Sequence, residues 1–348
     1  MDPRVDVFCH IVPPRYDKAR WERLERTHFV EHSPSHLKYV RGGRSPLPNM
    51  QVLTDLDTRF RMMDEFEGYR QVLSVASPPI EAVAPDDSDY VAKILNDELA
   101  ELVQKYPDRF AGAVASLPMD KPEAAARELE RSIRELKLIG VQLFSNVAGK
   151  PLDLPEFRPI FRIMSEHDLP ILLHPARSRN HPDYLAEKDS KYVIWQVIGW
   201  PYESSAAMFR IVFGGILDDY PNLKIIVHHT GAMISFFSGR IEAMYRMFLP
   251  LIEQERGTPL KKPVMDYLRC FYGDTSLFTP ASINCACDFF GSDHVLFGTD
   301  APFDAEGGKW SIRASTAAVN NSSRSAADKS KIFYQNFETI FRLSPVMK

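Results

Sequence analysis

Cysteine is scarce in this chain: four residues in 348, at positions 9, 270, 285 and 287. That is too few for a disulfide-stapled scaffold, and the pair at 285 and 287 is too closely spaced for a zinc knuckle, with no second pair to complete one. Their apolar and small neighbours predict buried, reduced thiols. Long hydrophobic runs are missing too, since no stretch approaches the ~20 apolar residues that a membrane helix needs. The opening Met1-Asp2-Pro3-Arg4-Val5-Asp6-Val7-Phe8 fits neither a secretory nor a transit signal, so the expectation is a soluble, cytoplasmic protein with no membrane partner. An excess of charge of one sign is absent as well. The 42 Lys and Arg against 46 Asp and Glu leave a formal charge of −4, and no global positive field draws the protein to nucleic acid. The 17 glycines and 26 prolines follow no short period, which excludes collagen-like and low-complexity classes. A small-molecule partner is the default that remains.

What is present is a repeated alternation. Short β-branched or apolar runs are each followed by a longer segment of helical periodicity, the pattern of successive βα units. The runs are Val5–Phe8, Gln71–Ala76, Phe110–Leu117, Val141–Phe144, Pro170–His174, Lys224–His228, Cys270–Asp274 and His294–Gly298. Between them, Leu53–Glu67, Asp87–Lys105, Pro122–Leu138, Pro155–His167, Met208–Leu217 and Pro280–Phe290 read as helices, and Ala326–Leu343 as a C-terminal helix packed on the outside. About eight strands with intervening helices predict a single α/β domain over 1–348, a closed (β/α)8 TIM barrel rather than two domains. The segment 11–50, rich in Arg, His and Pro, is too long for an ordinary connection and reads as an inserted lid or oligomer contact after the first strand.

In such a barrel the residues just past each strand share one mouth, however distant in sequence. His10 follows the first strand, His174 the fifth, His228 and His229 the sixth, and Asp300 the eighth. Each alone has a structural explanation, a hydrogen-bonded core histidine or, for Asp300, a helix N-cap. Together they are a ligand set suited to Zn²⁺ or Mn²⁺. Neighbouring strand residues face opposite ways, so only one of His228 and His229 is expected to enter the mouth.

The runs Val5-Asp6-Val7-Phe8-Cys9-His10-Ile11-Val12-Pro13, His174-Pro175, His229-Thr230-Gly231 with Gly239-Arg240-Ile241, and Gly298-Thr299-Asp300-Ala301-Pro302-Phe303 resemble the amidohydrolase-related decarboxylases. The likeness spans almost the whole chain in the same order. By that resemblance His10 matches the second histidine of an HxH metal motif, His174 a further ligand, and Asp300 a carboxylate that both binds metal and moves protons. His229 matches a catalytic proton carrier and Arg240 a substrate-carboxylate binder. The first HxH histidine is Phe8 here, and a phenyl ring cannot coordinate a metal. Two imidazoles and one carboxylate remain, a set expected to hold a divalent cation, zinc first and manganese as the alternative, with reduced affinity or complete loss as the cost of Phe8.

The resemblance therefore implies a metal-assisted, non-oxidative decarboxylase of a hydroxylated aromatic or unsaturated carboxylic acid, in a homodimer or higher homo-oligomer. Two alternatives stand beside it: a hydrolase or hydratase using metal-activated water, and a metal-free barrel with altered function, supported by Phe8. Lesser features are His28, His32 and His36, read as lid surface; Asp274, placed either to orient His229 or a water or to hydrogen-bond backbone; and Trp195, Trp200 and Tyr202, which fit either packing against a planar substrate or ordinary loop packing.

Overall fold

The computed structural model describes residues 3–26 and 50–341. Arg4–Ile11 (β1), Tyr69–Val75 (β2) and Phe110–Ala113 (β3) pair in parallel, and so do Val141–Phe144 (β4), Pro170–His174 (β5), Lys224–Val227 (β6) and Tyr272–Gly273 (β7). A bridge between Ala115 and Val141 joins the two runs, one between Gly273 and Val295 adds an eighth segment at 295–301, and one between Cys9 and Ala301 returns to β1. Backbone bonds from Leu296 N to Gly273 O (2.9 Å), Val7 N to Phe297 O (2.9 Å) and His10 N to Ala301 O (2.8 Å) carry the closure. The result is a (β/α)8 barrel.

Closure explains the composition of the strands. A barrel strand is covered on both faces, so β4 and β5 are buried throughout and read as continuous apolar runs. Val7, Val72, Val114, Leu172, Ile226 and Leu296, drawn from six of the eight strand regions, belong to one buried cluster. Two polar braces set the strand ends that matter. The buried Asp6 carboxylate accepts from Tyr69 Oη and Thr299 Oγ1, both at 2.5 Å, and from the amides of Phe8 and Thr299 at 3.1 Å, tying β1 to β2 and to the eighth segment. Arg59, fully buried on the helix Leu56–Met63 (α2), donates to Gln71 Oε1 at 2.7 Å and to the carbonyl oxygen of His10.

Several elements depart from the sequence expectations. The first part of the inserted segment is a helix, Pro14–Arg26 (α1), that packs on Ser88–Lys105 (α4) and buries Tyr16, Ala19 and Trp21. Its first amides lack a local cap. Those of Arg15 and Tyr16 donate instead to the Glu98 carboxylate of α4 at 3.0 and 2.9 Å, a long-range partner that no local pattern reveals. Residues 27–49, with His28, His32 and His36, lie outside the described residues. The helix expected at Met208–Leu217 starts earlier, at Gly199–Phe213 (α5), and stops at Gly214-Gly215, where Gly215 takes φ +79°. A long helix, Ser238–Arg256 (α6), follows β6 without having been anticipated. At the C-terminus, 326–340 form three consecutive helical pieces with a wider π turn at Lys331–Gln335. Of the four thiols, Cys9 and Cys287 are buried as expected. Cys270 and Cys285 are only partly so, because each sits toward the surface side of its segment.

The short helix Ile80–Val83 (α3), just past β2, buries Glu81 at 8% exposure. Burial pushes this carboxyl from its usual 4.5 up to about 7, its own backbone N–H opposing the shift and Asp120 adding to it. The folded chain thus keeps a proton that the unfolded chain releases, and the stability present below the ordinary pKa is lost as pH rises through about 7. Glu81→Gln is expected to be roughly 3 kcal/mol more stable than the wild type at pH 8, with the difference vanishing toward pH 4. Urea unfolding across that range checks it.

Candidate active site

His10 ends β1 with its ring fully buried. Its Nδ1 lies 3.2 Å from the carbonyl oxygen of Val75 and 3.2 Å from Ser74 Oγ, so a proton on Nδ1 is accepted there and the lone pair is left on Nε2. His174 ends β5, and its Nδ1 donates to the carbonyl oxygen of Pro175 at 2.7 Å. His228 follows β6 directly, and its Nδ1 donates to Asp274 Oδ2 beyond β7. All three rings are fixed at Nδ1 by an oxygen acceptor. Their centroids stand 5.2, 5.3 and 5.9 Å apart, and one nitrogen from each comes within 4.8 Å of the others.

Asp300 faces this group from the end of the eighth segment. Its Oδ1 is 3.4 Å from His10 Nε2 and 3.3 Å from His228 Nε2, and its Oδ2 is 3.9 Å from His229 Nε2. The four positions expected to converge, 10, 174, 229 and 300, are therefore neighbours at one mouth. The expectation that only one of the paired histidines enters is corrected. His229 and Thr230 take left-handed backbone angles, φ 60° and 59°, which end the strand alternation and stack the two imidazoles at 4.0 Å. Such angles cost about 1–2 kcal/mol per residue, and Thr230 is β-branched, so something must hold the turn. Asp274 does so by accepting from the amides of His229 (3.2 Å), Thr230 (2.7 Å) and Ser276 (3.0 Å) and from Ser276 Oγ (2.8 Å). The backbone hydrogen bonds weighed for Asp274 are thus present, and the imidazole it holds is His228 rather than His229.

Electrostatics push these groups apart. Burial disfavours charge on His228, but Asp274 and then Asp300 outweigh it and raise the imidazole to about 10. Burial, then His228, lowers His229 to about 3, and burial with the other three imidazoles holds His174 well below its usual value. Asp300 is driven the other way: burial would raise it, yet His228 and His10 keep it well below the carboxylate range. Aromatic rings flank the cluster, with Phe144 at 5.2 Å and Trp200 at 5.5 Å from the His174 ring and Phe303 at 5.5 Å from that of His10. Trp195 packs edge-on against Trp200 at 5.6 Å, whereas Tyr202 is exposed. Arg240, on the first turn of α6, is also exposed and has no described contact with the cluster.

The donor set can be tested against a divalent cation on its own terms. The Nε2 atoms of His10 and His228 are buried without a hydrogen-bond partner, although an anionic oxygen stands 3.3–3.4 Å away. For His10 this sets a lone pair against a carboxylate, which repel unless positive charge lies between them. Ligands ~2.1 Å from a metal at near-tetrahedral angles stand roughly 3.4 Å apart, so the spacing fits a shared cation. Acceptors behind each Nδ1 supply the outer partners that fix metal-bound imidazoles. A divalent metal fits these residues.

A closed parallel barrel whose strand ends gather imidazoles and a carboxylate defines a metal-dependent (β/α)8 enzyme. More particularly, residues 6–343 match the amidohydrolase family model, and the chain belongs to that family. It is 33% identical over 303 residues to γ-resorcylate decarboxylase of Polaromonas sp. strain JS666, covering 84% of this chain and 89% of the relative. Among solved structures it resembles the Polaromonas dihydroxybenzoic acid decarboxylase with bound manganese and 2-nitroresorcinol (28% identity, TM-score 0.77, 99% and 98% of the two chains). It also resembles 5-carboxyvanillate decarboxylase of Novosphingobium aromaticivorans with manganese and 4-hydroxy-3-methoxy-5-nitrobenzoic acid (27%, TM-score 0.82, 98% and 96%).

Sequence reasoning missed His228 as a full member of this group, because its entry depends on the sign of a backbone angle at the next residue. The buried Asp274, found by its place at a strand end, was the available signal. Asp274→Ala strands several buried donors and a buried imidazole at once. It is expected to destabilise the fold by about 3–5 kcal/mol, read as a shift in the urea midpoint without a change in slope.

Proposed function

We propose that this protein is a carboxy-lyase: a metal-dependent, non-oxidative decarboxylase of a hydroxylated aromatic acid or a related unsaturated carboxylate. The observation that carries the reading is the buried group of His10, His174 and His228, with one ligand nitrogen from each mutually within 4.8 Å, the Asp300 carboxylate 3.4 Å from His10 Nε2, and aromatic rings alongside. Aromatic carboxylates are the substrates or ligands named for the relatives, and manganese is the ion named with two of the solved ones. Manganese is therefore the ion we assign; zinc has no support among them. Bound to His10, His174 and Asp300, such an ion would neutralise a substrate carboxylate and an adjacent hydroxyl and hold both in one plane.

The chain's own groups account for the proton. Asp300 is held ionised and His229 neutral, so each has a lone pair free for the phenolic proton, as a weak base that returns it readily. The proton taken from the hydroxyl returns to the ring carbon that bears the carboxylate. The C–C bond then breaks, its electron pair restores the ring, and CO₂ leaves. Trp200 and Phe303 form the flat walls that suit a planar acid. Arg240 is exposed on the first turn of α6, with no described contact with this group.

One barrel domain carries the site in this reading, with 11–50 as an insertion. We further assign a homodimer or higher homo-oligomer. The segments after β5 and β6, neighbours in the barrel, expose Tyr192 (89%), Val197 (66%), Phe236 (80%) and Met247 (61%), more large apolar surface than an isolated barrel ordinarily leaves to water.

The Mn²⁺-loaded protein is expected to release CO₂ from 2,6-dihydroxybenzoate anaerobically, without consuming water, and to lose that turnover on chelation. His229→Ala should retain its circular dichroism spectrum and lose at least ~10²-fold in kcat. His174→Ala should lose its metal by elemental analysis, and unchanged content would rule out the ligand role. For assembly, light scattering should return at least twice the chain mass of 39.7 kDa; a monomer at micromolar concentration would refute the interface.

A further inference from the structure

We propose that His228 is a third imidazole ligand of the divalent cation, and that the adjacent histidines are thereby split into a ligand, His228, and a free proton carrier, His229. This rests on the reading that the site holds such a cation at all. The sequence left two imidazoles and a carboxylate, with Phe8 where a ligand is expected. The Phe8 ring lies flat against His228, centroids 4.2 Å apart and planes inclined by 12°, so His228 fills the space beside it from a different strand.

Four observations bear on the assignment. His10, His174 and His228 together form one group with ligand atoms mutually within 4.8 Å, while His229 groups only with His228 and Asp300. His228 Nε2 is buried with no hydrogen-bond partner and stands 3.3 Å from Asp300 Oδ1, nearly matching the 3.4 Å from His10 Nε2 to the same oxygen. Its Nδ1 is backed by the Asp274 carboxylate, itself anchored by three amides and a hydroxyl, which is the outer-partner arrangement that orients metal-bound histidines. By contrast His229 Nδ1 is buried without a partner and its Nε2 is 3.9 Å from the nearer Asp300 oxygen, so nothing fixes that ring as a ligand. An imidazole packed by its faces but with no polar anchor, beside one held at Nδ1, suits a group that must gain and release a proton.

The test counts imidazoles on the metal in the wild-type protein. Co²⁺ is loaded in place of the native ion, and the hyperfine-shifted imidazole N–H resonances that vanish in D₂O are counted by NMR. Three such resonances are expected, one each from His10, His174 and His228, with one lost in His228→Ala. Two in the wild type would overturn the proposal and leave the metal enzyme standing. Failure to take up Co²⁺ or Mn²⁺ would overturn both readings. As a second measurement, Mn²⁺ affinity followed by the electron spin resonance of the free ion should fall at least ~10²-fold in His228→Ala, and roughly tenfold in Asp274→Asn, which retains the shape of the anchor. In His229→Ala it should stay within about threefold of the wild type. Equal losses at 228 and 229 would refute the division of roles.

Discussion

One buried carboxylate holds the active end of this barrel together. Asp274 has no exposure to solvent, yet it collects the His228 ring, the amides of His229, Thr230 and Ser276, and a serine hydroxyl. Without these donors the burial of a charge would be prohibitive; with them the carboxylate becomes the fixed point of the mouth. Two consecutive non-glycine residues in left-handed geometry are tolerated because their amides close on it. The turn in its stead would relax toward an ordinary helix start and carry one imidazole away from Asp300.

From that fixed point the charges of the site follow. Asp300 and Asp274 flank His228, and His174 and His229 are held below the ordinary imidazole range by burial first and by the neighbouring imidazoles. The arrangement separates groups that accept a proton from the point where a cation is held. Environments that drive like side chains in opposite directions are the usual means by which one site performs acid and base work at a single pH. His228 and His229 are adjacent in sequence and identical in chemistry, and their titration differs only through the neighbours they face.

Much of the architecture was legible because its signals are local. The limits of Val141–Phe144 and Pro170–His174 agree with the observed strands, since a strand covered on both faces is a continuous apolar run. Pro280–Phe290 likewise agrees, with proline at its first turn and glycine after its last residue. Barrel topology brings His10, His174, Asp300 and one of the pair His228 and His229 to one mouth, and the choice of His229 from that pair rested on the family resemblance. What stayed hidden depends on distant partners. The α1 helix is capped from α4, and α6 leaves Met247, Phe248 and Leu251 in water, so its apolar pattern does not mark an inward face. The entry of both His228 and His229 rests on two backbone angles that their side chains would not choose. Arg240 was singled out by resemblance only, and its exposed place on α6 has no counterpart in the local pattern.

Phe8 has a further consequence beyond the coordination set. Its ring, without any solvent exposure, stacks on the His228 imidazole, and its Cβ lies so near Gly298 that a methyl group on the glycine would come within 3.3 Å of it. The His228 imidazole is thus backed on one face by hydrocarbon. A phenyl ring in that place shields one face of the imidazole group from water, so the side chain that cannot coordinate an ion still lowers the polarity around the groups that could.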